Sequence, residues 1–126
     1  AYHGRGIVKE KIKDYKGAFS DFNKALKVNP NRHANRRNSY YNRGKVKGIF
    51  KDYEGAISDF DKAIESNPKF FVLEIKIDIA RIYYNRGLMK LKLCKTSKAC
   101  IDFRKADELV NNGYHEAEKA IKEYCK

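Results

Sequence analysis

Three histidines and a large set of carboxylates are the side chains that could take part in acid–base chemistry. His3, His33 and His115 lie far apart in the sequence, and none has a nearby Ser or Cys nucleophile with a suitable third member. The carboxylates follow the polar sides of amphipathic segments, and no glycine-rich phosphate loop follows a strand pattern. The sequence therefore predicts that the chain is not an enzyme and needs no cofactor.

Three cysteines define the other chemistry that the chain could support. Cys94, Cys100 and Cys125 lack zinc-ligand spacing, so no metal site is expected. A turn at residues 111–113 (Asn-Asn-Gly) would bring Cys100 and Cys125 together at the open end of a helical hairpin. They could be packed thiols, as in a reducing compartment, or a disulfide, as in an exported protein. The compartment stays open between these alternatives, with the cytoplasm favoured over the periplasm or export.

A repeated pattern of small residues and phenylalanine predicts the elements that carry these side chains. It occurs three times, as Gly6–Ala18–Phe22–Ala25, Gly44–Ala56–Phe60–Ala63 and Gly87–Ala99–Phe103–Ala106. Small residues let two helices approach closely, and residues three or four apart share one helical face. Pro30 and Pro68 close the first two units, because proline cannot continue a helix. Self-similarity of this kind is typical of a solenoid of helical hairpins.

The residue pattern of each unit resembles the tetratricopeptide repeat (TPR), in its bacterial-type form. The matching strings are Tyr40-Tyr41-Asn42-Arg43-Gly44 and Tyr83-Tyr84-Asn85-Arg86-Gly87, with Asp21-Phe22-Asn23-Lys24-Ala25 and its two counterparts. The resemblance implies an all-α, right-handed solenoid of three helix–turn–helix units with a C-terminal capping helix, acting as a protein–protein interaction scaffold. We expect units at about 1–31, 36–68 and 70–110 and a cap at about 113–125. Together they would form one domain, 1–126, of a longer protein.

An arginine stands in each unit where the family prefers leucine. The pairs Arg5/Asp21, Arg43/Asp59 and Arg86/Asp102 each have a spacing of 16 residues. In a helical hairpin, positions at this spacing face each other at the same height. We therefore predict an ion pair inside each hairpin, with a structural role rather than a ligand-binding one.

Positive charge is concentrated in the first part of the chain. Residues 1–51 contain 14 Lys or Arg and 3 Asp or Glu, whereas residues 52–126 contain 14 and 13. The densest cluster, beside His33, is a basic patch of Arg32, Arg36 and Arg37. It favours an acidic partner, with polyanion or nucleic-acid binding as the alternative, although charged solvated helix faces are also common. No nucleic-acid motif is present, so nucleic acid is not the expected partner. No apolar run reaches the roughly 20 residues that span a membrane, so membrane insertion is not expected.

The resemblance implies that the first helix of each unit lines a concave groove that holds the ligand. The predicted groove residues are His3, Ile7 and Lys11, then Tyr41, Asn42, Lys45 and Ile49, then Arg81, Tyr84, Asn85, Leu88 and Lys92. Asn can bond backbone amides, Tyr supplies contact area and Lys or Arg meets carboxylates, so these residues suit an acidic peptide or protein segment. The alternative is that Tyr41 and Tyr84 only pack between adjacent hairpins.

Some relatives in the family grip a terminal carboxylate with a clamp of Lys, Asn and Arg. Asn42 and Arg81 stand at two clamp positions, but His3 and Ile7 stand where Lys and Asn would be needed. A clamp of that kind is therefore not expected.

Residues 69–79 allow two interpretations. Leu73, Ile75, Ile77 and Ile79 alternate with polar residues as in a strand, but they also fit one long helix from about Phe70 to Leu93. We favour the helix, because a single strand would have no pairing partner. Its first turns would expose Phe71, Ile75 and Ile79, which the preceding unit could cover or which could mediate self-association as a homodimer.

Overall fold

A computed structural model of the chain describes residues 14–28, 33–66 and 73–125. Within these ranges the structure consists of α-helices joined by short turns, and it contains no strand. The helices are α1 (Tyr15–Val28), α2 (His33–Ile49), α3 (Tyr53–Glu65), α4 (Leu73–Lys92), α5 (Thr96–Leu109) and α6 (His115–Tyr124). They fall into two compact units, one containing α1–α3 and one containing α4–α6.

The two complete hairpins, α2–α3 and α4–α5, are closed by the same kind of turn. Lys51 and Cys94 adopt the left-handed backbone conformation, with φ angles of 66° and 59°. This conformation ends a helix by returning the following amide to its last turn. In α2–α3 the Asp52 amide donates to the Lys47 carbonyl at 2.8 Å, and in α4–α5 the Lys95 amide donates to the Lys90 carbonyl at 2.8 Å.

An aspartate begins the second helix in the first two repeats. The side chains of Asp14 and Asp52 accept hydrogen bonds from the Gly17 and Gly55 amides, at 3.1 and 3.0 Å. Each bond satisfies an amide that the helix itself leaves without a partner. Helix α5 begins after Lys95 without a side-chain cap, so the third repeat departs from the other two here.

The repeated small residues and phenylalanines form the cores, as their pattern predicts. Phe22, Phe60 and Phe103 are all 0% exposed, as are the alanines that precede each of them by four residues. In the second unit, Ala80, Ala106 and Ala117 form one buried cluster, and Ala99, Phe103 and Ala120 form another. Each unit therefore has its own apolar centre.

A single added methyl group tests how tightly these cores are packed. A Cβ at Gly87 would lie 2.6 Å from Cε1 of the Phe103 ring, which is fully buried, and 3.2 Å from the Ala99 carbonyl. We expect Gly87→Ala to lower the free energy of unfolding by about 1–3 kcal/mol, although Ala is by itself the better helix former. Urea unfolding followed by circular dichroism measures this value, and a Gly87→Ala variant more stable than the parent would contradict the close packing.

The long first helix of the last repeat is confirmed over the residues that the structure describes. Leu73–Lys92 is one α-helix, so the alternating isoleucines belong to a helix and not to a strand. The capping helix begins at His115, after a turn in which Asn111 and Asn112 have positive φ angles of 56° and 61°. Its Ala117 and Ala120 are buried, whereas Tyr124 is 44% exposed.

Candidate functional site

A buried carboxylate ties the two helices of the α2–α3 hairpin together. Asp59 on α3 is 1% exposed and accepts from Arg43 at both oxygens, 2.8 Å from Nε and 2.7 Å from Nη2. Lys47, one turn further along α2, places Nζ 3.2 Å from the same carboxylate. Arg43 also donates from Nη1 to Oδ1 of Asn23 on α1, at 2.7 Å, and so connects three helices.

The hairpin of the second unit repeats this arrangement. Arg86 donates to Asp102 at 3.0 Å from Nε and 2.7 Å from Nη2, and Lys90 Nζ lies 2.9 Å from Asp102 Oδ2. Two of the three predicted intra-hairpin ion pairs are thus confirmed, and Arg5 of the third lies outside the described residues. Sequence reasoning missed Lys47 and Lys90, although each follows its arginine by four residues and so shares its helical face.

The geometry of these ion pairs points to a structural role. The hydrogen bond and the charge of Asp59 raise the pKa of Arg43 above its ordinary value, although burial acts in the opposite direction. A bidentate arginine–carboxylate pair fixes both distance and orientation. These clusters therefore set the positions of α2 and α4, on which the predicted binding residues lie.

On α2, the predicted binding residues form a stripe of mixed character. The Tyr41 ring packs against the buried Phe60 ring with centroids 5.8 Å apart, a contact inside the hairpin that the sequence did not predict. Lys45 Nζ lies 4.9 Å from the Tyr41 centroid. Asn42 is only 9% exposed, whereas Ile49 and the neighbouring Phe50 are 47% and 46% exposed. We call Tyr41, Lys45, Ile49 and Phe50 the α2 stripe.

On α4, the equivalent residues are divided between exposed and covered positions. Arg81 is exposed and lies 3.8 Å from Asp78, and Asn85 donates from Nδ2 to the Arg81 carbonyl at 2.8 Å. Lys92, at the other end, is exposed. The residues between them are partly covered. The Tyr84 ring packs against the Phe103 and Tyr114 rings, with centroids 5.7 and 5.5 Å apart. Leu88 packs against the cluster that contains Phe103 and Ala120.

The covered tyrosines show the effect of burial on their chemistry. Burial, and after it the nearby charge of Glu116, raises the pKa of both Tyr84 and Tyr114 above the ordinary tyrosine value. Both phenols therefore stay neutral over the physiological range. The remaining predicted groove residues, His3, Ile7 and Lys11, lie outside the described residues.

The predicted basic patch is only partly accessible. Arg36 lies over the Tyr40 ring at 5.6 Å, and the same ring is approached by Arg43 at 5.4 Å and Lys62 at 5.6 Å. Arg37, which the sequence assigned to the patch, is instead 7% exposed, so it is not an open surface cation. Arg32 lies outside the described residues.

The predicted self-association surface is also largely covered in the single chain. Ile79 is 1% exposed and so cannot supply a contact between two copies, because its surface is already buried. Ile75 is half-buried, and Phe71 lies outside the described residues.

Cys100 and Cys125 form a disulfide bond that joins α5 to the end of α6, with Cα atoms 5.7 Å apart. A cavity of about 260 Å³ opens beside the bond and is lined by both cysteines and by Thr96, Ser97, Arg104 and Tyr124. Cys94 is an exposed free thiol.

Among the residues that the structure describes, no group of three or more His, Cys, Asp or Glu side chains could hold a metal ion. None of the described helices is long and apolar enough to cross a membrane.

Comparison with known proteins identifies the repeat. The family model for the tetratricopeptide repeat matches residues 1–32 and 38–70, about half of the chain. The chain therefore belongs to the tetratricopeptide repeat family, whose fold is a protein-interaction module. A comparison with curated protein sequences gives no significant match.

Solved structures show the same all-α fold. The first TPR domain of Spaghetti (RPAP3), bound to the HSP90 peptide SRMEEVD, has a TM-score of 0.77 at 20% identity, over 99% of this chain and 91% of that one. The N-terminal domain of stress-induced protein-1 (STI-1) from C. elegans has a TM-score of 0.77 at 22% identity, over 99% of this chain and 92% of that one. The Sgt2 TPR domain from Aspergillus fumigatus has a TM-score of 0.76 at 18% identity, over 98% of this chain and 74% of that one. At this level of identity, the likeness shows the fold alone.

Proposed function

We propose that this chain is a protein-interaction scaffold that binds a peptide or protein segment of acidic character on the faces of its first helices. The observation that carries the proposal is the α2 stripe, in which Tyr41, Lys45 and the exposed Ile49 follow one side of α2. The exposed Phe50 lies in the turn after the helix, where its ring contacts Tyr15. Aromatic and apolar anchors beside a cation are the features that bind a segment with alternating carboxylates and apolar side chains.

Charge on α2 supports an acidic partner. The helix contains five Lys or Arg and no Asp or Glu in its sequence HANRRNSYYNRGKVKGI. Arg43 and Lys47 lie against Asp59, whereas Lys45 belongs to the stripe, with its Nζ 4.9 Å from the Tyr41 ring centroid. Charge complementarity of this kind mainly determines specificity and the rate of association.

The spacing of the α2 stripe supports an extended ligand. Tyr41, Lys45 and Ile49 follow one another at four-residue intervals, which on an α-helix is a rise of about 6 Å per step. In an extended peptide, side chains on the same side repeat at about 6.6 Å. Successive side chains of such a ligand would therefore meet successive members of the stripe.

One of the solved structures holds a ligand of this class. The peptide held by the RPAP3 domain, SRMEEVD, contains three acidic residues among seven. That ligand belongs to the RPAP3 domain, and this chain shares 20% of its sequence with it. The proposal for this chain therefore rests on its own α2 stripe. The only thing it takes from the RPAP3 domain is the kind of partner, an acidic peptide segment.

A pair of matched charge reversals tests the proposal. A short labelled peptide of alternating Glu and Leu is titrated with the protein, and affinity is read from fluorescence anisotropy. We expect Lys45→Glu to weaken binding about tenfold, or about 1.4 kcal/mol. Lys98→Glu makes the same change in net charge at an exposed position on α5 and should leave the affinity nearly unchanged. Equal losses in both variants would show that net charge alone attracts the peptide, and the α2 stripe would be rejected as the site.

A second pair of variants tests the apolar part of the stripe. Ile49→Ser should weaken binding several-fold, because it removes an apolar contact next to Lys45. Ile101→Ser changes the same side chain on α5, where it is 66% exposed, and should have no effect.

The cations around Tyr40 support polyanion binding as a second candidate function. Arg36 and Lys62 both lie 5.6 Å from the Tyr40 ring centroid, beside Arg43, whose charge is paired with Asp59, so two further cations meet at this point. Binding of single-stranded RNA that ignores sequence and falls steeply with salt would favour this function. Peptide binding that responds to Lys45→Glu but not to Lys62→Glu would favour the α2 stripe.

A further inference from the structure

We propose that α6 is a detachable cover over the Tyr84–Leu88 face of α4 and that the Cys100–Cys125 disulfide latches it in place. Reduction of the bond by a dithiol would release α6 and make this face available to a partner. What the released face binds rests on the function proposed above, whereas the latch itself does not.

Helix α6 and the turn before it cover Tyr84 and Leu88, the two residues of α4 that correspond to Tyr41 and Lys45 of the α2 stripe. Tyr84 and Tyr41 both precede the repeat glycine by three residues, and Leu88 and Lys45 both follow it directly. Ile49 and its counterpart Lys92 are both exposed, so the cover is confined to the part of this face around Tyr84 and Leu88. In the second unit Tyr114 contacts Tyr84 at 5.5 Å, and Leu88 and Leu91 pack on the cluster that contains Ala120, with Ile121 and Cys125 beside it.

The packing of α6 uses mostly small side chains. The helix has ten residues, and its buried apolar side chains are two alanines, Ala117 and Ala120, with Ile121 partly buried beside Ala120. Its N-terminus has no side-chain cap, although the Tyr114 amide donates to Asp107 at 3.2 Å. Isolated helices of this length are marginal in water, so α6 depends on its packing against α4 and α5 and on its attachment at both ends. The turn after α5 supplies one attachment, and the disulfide supplies the other.

The disulfide is placed where a small thiol can reach it. Cys125 is half-buried and Cys100 is 5% exposed, and both line the cavity of about 260 Å³ beside α5. A thiolate of the dithiol attacks Cys125 Sγ, the sulfur–sulfur bond breaks, and Cys100 leaves as a thiolate. Arg104, one turn after Cys100 and lining the same cavity, favours that negative charge. The second thiol of the dithiol then displaces Cys125, so that the dithiol ends as a disulfide and two electrons and two protons reside on the cysteines.

Hydrogen exchange on the full chain, with and without dithiothreitol, tests the latch. We expect the α6 amides to lose protection at least about tenfold on reduction, while the amides of α5 around Phe103 keep theirs. The Cys100→Ser/Cys125→Ser variant should show the exposed α6 without any reductant. Cys94→Ser removes the exposed thiol and should behave like the parent protein in both conditions.

Two outcomes would overturn the latch. If α6 keeps its protection in the double variant, the disulfide does not hold it. If α5 loses protection together with α6, then α6 is part of the core and not a separate cover.

Binding of the Glu-Leu peptide tests what the cover controls. The double variant should bind more tightly than the parent protein, and Leu88→Ser should abolish that gain. If α6 opens without any change in affinity, control of binding by the cover is rejected. If Lys45→Glu leaves the affinity for the peptide unchanged in both the parent protein and the double variant, the proposed function is rejected. The hydrogen-exchange result would still decide whether the disulfide holds α6.

Discussion

Replacing Asp59 with alanine is expected to lower the free energy of unfolding by about 3 kcal/mol, because it removes a buried carboxylate from two cations. Asp59 is 1% exposed, and the side chains of Arg43 and Lys47 are 17% and 19% exposed. Without the carboxylate, both cations stay partly desolvated with nothing to balance them. Since each keeps some contact with water, we expect the lower end of the range for broken buried pairs. Urea denaturation of the parent and the variant measures the difference.

An exposed ion pair provides the control for Asp59→Ala. Asp78 and Arg81 lie 3.8 Å apart with 47% and 57% of their side chains exposed, so Asp78→Ala should cost less than about 1 kcal/mol. Arg43→Leu combined with Asp59→Leu should be more stable than Asp59→Leu alone, because the arginine no longer remains without its partner. Equal stability of Asp59→Ala and Asp78→Ala would show that the buried clusters do not hold the hairpins together.

Breaking the Cys100–Cys125 disulfide is expected to lower the free energy of unfolding by about 3 kcal/mol. The bond closes a loop with a sequence separation of 25 residues, and a constraint of that length restricts the unfolded chain by about this amount. The measurement is urea unfolding of the parent protein and of Cys100→Ser/Cys125→Ser, both without reductant. If α6 detaches first in the variant, its loss should precede the loss of α4–α5 and give an earlier step in the unfolding curve.

The exposed cysteine controls for effects of the thiol itself. Cys94→Ser should unfold at the same urea concentration as the parent protein, since Cys94 takes no part in the bond. A double variant as stable as the parent would mean that the packing of Ala117 and Ala120 alone holds α6.

Much of the fold follows from local features of the sequence. The small residues and phenylalanines repeat at helical spacing, and their burial follows because only small side chains allow two helices to approach. The Arg43–Asp59 pair was predictable because positions related by a hairpin turn face each other. The helical interpretation of Leu73–Ile79 succeeded because a strand needs a partner, whereas a helix satisfies its own backbone.

The surface was harder to predict, because exposure depends on which distant segments pack together. The pattern placed Arg37 and Ile79 on open surfaces, and the structure buries both. Tyr84 and Leu88 repeat the positions of Tyr41 and Lys45, and all four are partly buried, but the α4 pair owes part of its burial to residues of α6 and the turn before it. Repetition in sequence therefore predicted the residues of the hairpin cores, but not which of the other side chains remain exposed.

The most direct test of the central claim is a titration of isotope-labelled protein with the Glu-Leu peptide, followed by amide chemical shifts in NMR spectra. Binding on the α2 stripe predicts that the shifts concentrate at Tyr41, Lys45, Ile49 and Phe50, saturate with peptide, and leave the α5 amides around Ile101 unchanged. Shifts that concentrate on α5, or that spread over every lysine without saturating, would contradict the proposed binding site.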